Sequence, residues 1–319
     1  LKDTLRRIVG LGGEAVVQLR TPFGGGKTHA LIALYHLFRA PEDLLGLAEV
    51  RALVEESGVG EVPQARVAVL VGTALSAQGR KVDGLHLRTL WGELAYGLGG
   101  KAGYEWLRTA DEALTSPGKQ ALAEFLKAHS PALILMDEIL VYQVKAASVR
   151  VGETTLQAQT FAFLQELSEV VGSLPQVALV TTFPESHLEY YDHHEAPQVF
   201  ARLEKIFGRV QAVRMPVQGE EIYEVLRRRL FEQIDGEGAK RVVAAYMETY
   251  EAYRNELPPE VRSGEYARKM LKAFPFHPQL VDVLYERWGT LQNFQRTRGV
   301  LRLLARVVEA EYLNPGARP

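Results

Sequence analysis

Arg20-Thr21-Pro22-Phe23-Gly24-Gly25-Gly26-Lys27-Thr28 stands between an apolar run, Ala15–Leu19, and a stretch of helical spacing, Thr28–Phe38. Strand, glycine loop, Lys-Thr pair and helix, in that order, suit the binding of a triphosphate. Glycines let backbone N–H groups approach phosphate oxygens, and the start of a helix adds a favourable dipole. Gly24, Gly25 and Gly26 supply that cradle, Lys27 is placed to reach the β- and γ-phosphates, and the Thr28 hydroxyl to ligate Mg2+. The spacing GxxxxGK[ST] asks for a first glycine where Thr21 stands, so the motif departs by one residue. The plainer alternative is an ordinary glycine-rich turn.

Further along, Ala132-Leu133-Ile134-Leu135-Met136-Asp137-Glu138 is an apolar strand ending in two carboxylates. In P-loop ATPases the first such acid binds Mg2+, and a Glu directly after it polarises the attacking water. Asp137 and Glu138 take those roles here. Alone, the pair reads equally well as a strand meeting solvent at an acidic turn; the loop upstream favours the chemistry.

Five apolar runs rich in Val, Ile, Leu or Ala read as buried parallel strands: Ala15–Leu19, Arg66–Val71, Ala132–Met136, Val177–Thr181 and Val210–Val213. Between them, Thr28–Phe38, Leu87–Leu98 and Thr160–Val171 have helical spacing, which argues for a sheet covered on both faces. After Pro216 the pattern changes. Glu220–Phe231, Ala239–Tyr253, Pro278–Trp288 and Arg298–Tyr312 read as helices with no strand among them. The expectation is an α/β core over residues 1–216 and an all-helical lid over 217–319.

Val177-Ala178-Leu179-Val180-Thr181-Thr182 ends in hydroxyls where a wound sheet meets its ligand crevice, so Thr181 or Thr182 is a candidate to orient the attacking water. A helix, Gln198–Ile206, runs into Gly208-Arg209 and the fifth strand. AAA+ domains place at this junction an arginine that reaches a neighbour's ATP; Arg209 is the first candidate and Arg202 the second. Arg298, in the first turn of the last helix, is poorly placed for the helix dipole and suits a sensor touching the γ-phosphate. The loop Ser76–Lys81 offers two cations to a phosphate backbone. His187, His193 and His194 lack fixed ligand spacing and read as a solvated loop. Arg227-Arg228-Arg229 fans out around a helix as a solvated face.

The chain's 319 residues, 47% hydrophobic and 24% charged, are ample for two modest domains, and no fixed-period repeat appears. Lys+Arg of 37 against Asp+Glu of 39 gives a net charge of −2, so there is no global basic footprint for nucleic acid. Zero cysteines exclude disulfides and thiolate metal sites and suit a cytoplasmic location. No apolar run is long enough for a membrane helix. The start, Leu1-Lys2-Asp3, reads as an internal cut in a longer protein.

Taken together, Thr21-Pro22-Phe23-Gly24-Gly25-Gly26-Lys27-Thr28-His29, Thr89-Leu90-Trp91-Gly92-Glu93-Leu94, Met136-Asp137-Glu138, Phe276-His277-Pro278 and Gln295-Arg296-Thr297-Arg298-Gly299 cover most of the chain. The pattern resembles the AAA+ ATPase domain of large bacterial and archaeal proteins often encoded beside DNA methyltransferases and phage-defence genes. That family shares the Thr21 departure. The resemblance implies a P-loop NTPase fold of AAA+ type with a five-stranded parallel sheet and a helical lid. It adds His29 to the nucleotide-binding residues and implies ATP and Mg2+ as ligands. It also implies a homo-oligomeric ring, and remodelling of DNA or a DNA-bound complex with a methyltransferase or defence-system partner. An ATP-gated switch or scaffold with slow hydrolysis is the alternative.

Overall fold

The computed structural model describes residues 1–20, 26–183, 196–208, 211–214, 221–288 and 296–314. The chain divides into two compact units between Pro216 and Val217. In the first, α1 (Lys2–Ile8) leads to β1 (Val16–Arg20), α2 (Lys27–Arg39), α3 (Pro41–Leu44) and α4 (Ala48–Ser57). Then come β2 (Arg66–Val71), a hairpin of β3 (Arg80–Val82) and β4 (Leu85–Leu87), α5 (Leu90–Glu112) and α6 (Gly118–Ala128). β5 (Ala132–Asp137), α7 (Ile139–Ala146), a hairpin of β6 (Arg150–Val151) and β7 (Thr154–Thr155), and α8 (Leu156–Ser173) follow. β8 (Val177–Phe183), α9 (Ala196–Phe207) and β9 (Gln211–Arg214) complete this unit.

β2, β5, β8 and β1 lie side by side in that order, all parallel, and β9 pairs in parallel with the far side of β1. Strand side chains alternate between faces, and both faces are apolar. Val16, Ala68, Ile134, Met136 and Leu179 pack against α5, α7, α8 and α9 on one side. Val17, Val67, Leu135 and Val180 pack against α1, α2 and α4 on the other. A mixed α/β unit around a parallel sheet is what the alternating pattern implied.

The strand count departs from the five expected. The described residues hold nine strands, because two short hairpins escaped the periodicity, and most of the expected bounds move by one or two residues. Strand β3 takes up the last two residues, Arg80 and Lys81, of the expected loop at Ser76–Lys81, and the rest stays irregular. The β3–β4 hairpin turns at Asp83 and Gly84, both with positive φ (51° and 80°), as a two-residue turn between right-twisted strands requires. Arg80 donates twice to Glu93 at 2.7 and 2.8 Å, and both Arg80 and Lys81 are exposed.

The stretch beginning at Thr89 is an anchor for this hairpin and for α5. Thr89 caps α5 by accepting from the Gly92 N–H, and its hydroxyl donates to the fully buried Asp111 at 2.5 Å. Asp111 also accepts from Tyr104 at 2.8 Å and from the Arg88 N–H at 3.1 Å. A Cβ at Gly92 would stand 2.2 Å from that carboxylate, so only glycine fits there.

The second unit is α10 (Glu221–Leu230), α11 (Gly236–Ala252), α12 (Gly264–Ala273), α13 (Pro278–Asp282) and α14 (Arg296–Leu313). Its described residues hold no strand. Ile222, Leu226, Val281, Leu284, Val300 and Leu304 form its core. On α10, Arg228 pairs with Glu224 at the surface, as a solvated face would.

Candidate phosphate and carboxylate site

Gly26 sits at φ 82°, a left-handed conformation that glycine adopts without strain, and caps the start of α2. Its carbonyl accepts from the Ala30 N–H at 2.9 Å, the first bond of the helix. Lys27, Thr28 and His29 form the first turn, which has no acidic residue and no side-chain cap. Such a terminus favours an anion, because its N–H groups and dipole both face the same end. Gly24 and Gly25 lie outside the described residues, as do Arg209 and the histidines His187, His193 and His194.

Asp137 is the last residue of β5 and is only 6% exposed. The Thr28 hydroxyl donates to its Oδ2 at 3.0 Å, and the Thr182 hydroxyl donates to its Oδ1 at 2.6 Å. The carboxylate is thus held between the first turn of α2 and the end of β8. Thr182 Oγ1 also accepts from the Glu138 N–H at 3.1 Å, so one hydroxyl fixes both acids. Glu138 is half-buried and adopts φ 52°, ψ 37°. For a residue with a side chain that left-handed backbone is strained, and it persists only where the surroundings impose it.

The two threonine candidates part company here. Thr182 shares the α2 side of the sheet with Asp137, whereas Thr181 points to the opposite side beside Gln18, its partner across β1 and β8. Thr181 and Gln18 are both fully buried, and Thr181 Oγ1 and Gln18 Nε2 make no hydrogen bond among the described residues. Gln18 Oε1 accepts from Arg20 Nε at 2.8 Å, and Arg20 in turn pairs with Glu204 of α9 at 2.7 Å.

The arginines differ as well. The Arg202 guanidinium lies 4.2 Å above the Phe161 ring, a cation–π contact that ties α9 to α8 within its own unit. Arg298 is exposed on the first turn of α14, in the second unit, beside the buried Thr297 and Val300. Among the described residues no group of three or more His, Cys, Asp or Glu gathers to hold a metal. No described helix is long and apolar enough to cross a membrane.

Two residues at this site carry no motif signal. Gly72 follows β2, and its N–H donates to the Asp137 carbonyl at 2.8 Å. Lys145, late in α7, donates to the carbonyls of Gly72, Thr73 and Leu75. The only hint in the sequence is a glycine placed directly after an apolar strand.

These features define a two-unit chain, an α/β unit with a threonine-braced carboxylate at the start of a glycine-capped helix, then a helical unit. The chain belongs to the DUF499 family: the DUF499 N-terminal domain matches residues 1–214 and the DUF499 second domain matches residues 218–314. No curated protein and no solved structure matches it.

Proposed function

We propose that this chain is a Mg2+-dependent ATPase with a P-loop fold of AAA+ type, whose turnover drives remodelling of DNA or a DNA-bound protein complex. The observation that carries the reading is Asp137 held between Thr28 and Thr182, with Glu138 beside it. The donor set suits the metal: a hydroxyl and a carboxylate are hard oxygen donors of the kind Mg2+ prefers. Thr28 and Asp137 would hold the ion, which when bound neutralises charge on the β- and γ-phosphate oxygens.

The chain's own residues do the rest. Lys27 and the N–H groups around Gly26 bind the phosphates, with His29 in the same turn. Glu138 accepts a proton from water as the water oxygen bonds to the γ-phosphorus. The bond from that phosphorus to the bridging oxygen breaks, leaving ADP and phosphate. Thr182 keeps Asp137 and Glu138 in register, since its proton goes to the first and its lone pair to the second. Arg209 from a neighbouring copy and Arg298 from the helical unit are the cations of this reading that supplement the site. A homo-oligomeric ring, a cytoplasmic setting and a methyltransferase or defence-system partner belong to the same proposal.

The test is the ATP hydrolysis rate per chain across protein concentration, with and without duplex and single-stranded DNA. A rate that climbs with concentration or DNA supports the motor. A slow rate indifferent to both favours the ATP-gated switch, and absence of ATP binding sinks both.

A further inference from the structure

We infer that Lys145 is a positioning residue for Glu138, an inference that rests on the ATPase reading above. Among the described glycines, Gly72 stands closest to another stretch of backbone. A Cβ built on Gly72 would stand 2.1 Å from the Glu138 carbonyl oxygen and 3.0 Å from the Ile139 Cα, so the end of β2 presses directly on the residue that starts α7. The Ala74 and Leu75 N–H groups both donate to the Val71 carbonyl, at 3.0 and 2.9 Å, which winds the chain after Gly72 into a tight turn.

That turn presents three carbonyls to one point, and the Lys145 ammonium fills it. Its Nζ lies 3.0 Å from the Gly72 oxygen, 2.9 Å from Thr73 and 3.0 Å from Leu75. An ammonium has three N–H donors and no acceptor, so all three are used. Bonds to a charged donor are stronger than neutral ones. Lys145 lies on α7 itself, about two turns beyond Glu138.

The contacts therefore form a closed loop. Glu138 begins α7, α7 carries Lys145, Lys145 grips residues 72–75, and Gly72 presses back on Glu138. Thr182 fixes the same backbone from the other side. Helix α7 is short, eight residues, and pinning it at both ends stops it from rolling and swinging the Glu138 carboxylate. The imposed φ of 52° at Glu138 is the signature of that restraint. A general base displaced by about 1 Å loses up to roughly 10²-fold in rate.

The test uses the whole chain with Mg2+ and ATP, comparing wild type, Lys145→Met, Glu138→Gln and the double variant in single-turnover hydrolysis, with ATP affinity from calorimetry. Lys145→Met is expected to slow hydrolysis about tenfold with affinity unchanged, and to add no further loss to Glu138→Gln, because a base already removed cannot be misplaced. An undiminished extra loss in the double variant makes Lys145 merely structural and overturns the inference. So does hydrolysis by Lys145→Met at the wild-type rate. If Lys145→Met does not fold, Lys145→Arg keeps the charge but not the three-point grip. It is then expected to lose several-fold only when Glu138 is present, and equality with wild type overturns the inference. A wild-type chain that binds ATP without hydrolysing it overturns the ATPase reading and this one with it, an outcome distinct from the others.

Discussion

Thr28 and Asp137, far apart in sequence, meet through a 3.0 Å hydrogen bond that ties the first turn of α2 to the end of β5. The bond places Lys27 on the same turn, at the glycine-capped helix start, where a phosphate would sit. Lys27→Ala is expected to abolish tight ATP binding and to leave the melting temperature close to wild type. Calorimetry reads the affinity, and an unchanged value sinks the phosphate-loop assignment.

Glu138→Gln keeps the shape of the side chain and removes the base. ATP binding should survive while hydrolysis slows by about 10²-fold or more, the scale of a lost general base. Turnover at the wild-type rate makes the carboxylate structural.

Arg209 is tested by mixing. Arginines supplied in trans are worth about 10³–10⁵ in rate to a small GTPase, and losses in a ring ATPase are expected to be smaller. Arg209→Ala should bind ATP and hydrolyse it poorly. Adding Lys27→Ala chains should restore part of the activity, because each carries an intact Arg209 for a neighbour's intact loop. No recovery at any ratio, in a preparation shown to be oligomeric, retires the finger.

Asp111 gives a stability prediction independent of nucleotide. Asp111→Ala strands the Thr89 hydroxyl and the Arg88 N–H without their shared acceptor and leaves the Tyr104 hydroxyl only a long 3.4 Å bond to the His86 carbonyl. Leaving donors unpaired near a buried site should cost about 3 kcal/mol or more, read from urea unfolding. A loss under 1 kcal/mol contradicts the anchor described above.

In the second unit the pH dependence follows from His277. Its Nδ1 accepts from the Gln279 N–H at 3.2 Å to cap α13, so its proton sits on Nε2, which donates to Tyr250 Oη at 2.8 Å. Tyr246 and Tyr266 face the ring, and Asp282 pulls the other way, but burial prevails and lowers its pKa below the ordinary 6.5. The unfolded chain therefore binds this proton more readily. The contribution to stability is complete above about pH 6.5 and disappears as pH falls through the folded value. His277→Asn, which can still cap, should flatten that part of the stability profile between pH 7 and 5. An unaltered slope removes His277 from the account.

How far the sequence carried these conclusions varies by residue. Asp137 and Glu138 were visible because an apolar strand ending in two acids is a local pattern, and Thr28 because it follows glycines and lysine at the head of a helix. The bond between Thr28 and Asp137 was not visible, since it depends on β1, β8 and β5 lying side by side in parallel. The helical stretch was expected over Leu87–Leu98. Instead Gly100 takes φ 60°, ψ −147° as a kink, and the helix resumes to Glu112. Arg80 and Lys81 read as loop cations because the hairpin strands are only three residues long. Lys145 left no trace and Gly72 only that of a glycine after an apolar strand, because a lysine gripping three carbonyls is a property of tertiary packing alone.

Thr181 and Thr182 are the same letter written twice, yet β8 sends them to opposite sides of the sheet. A strand of this kind has a reading frame. One residue inserted ahead of Thr181 would move that hydroxyl toward the carboxylate side and send every later side chain across the sheet, whereas a two-residue insertion would restore the phase. The segment is therefore far less forgiving of a change in length by one than of a change in identity at position 181, whose hydroxyl makes no hydrogen bond among the described residues.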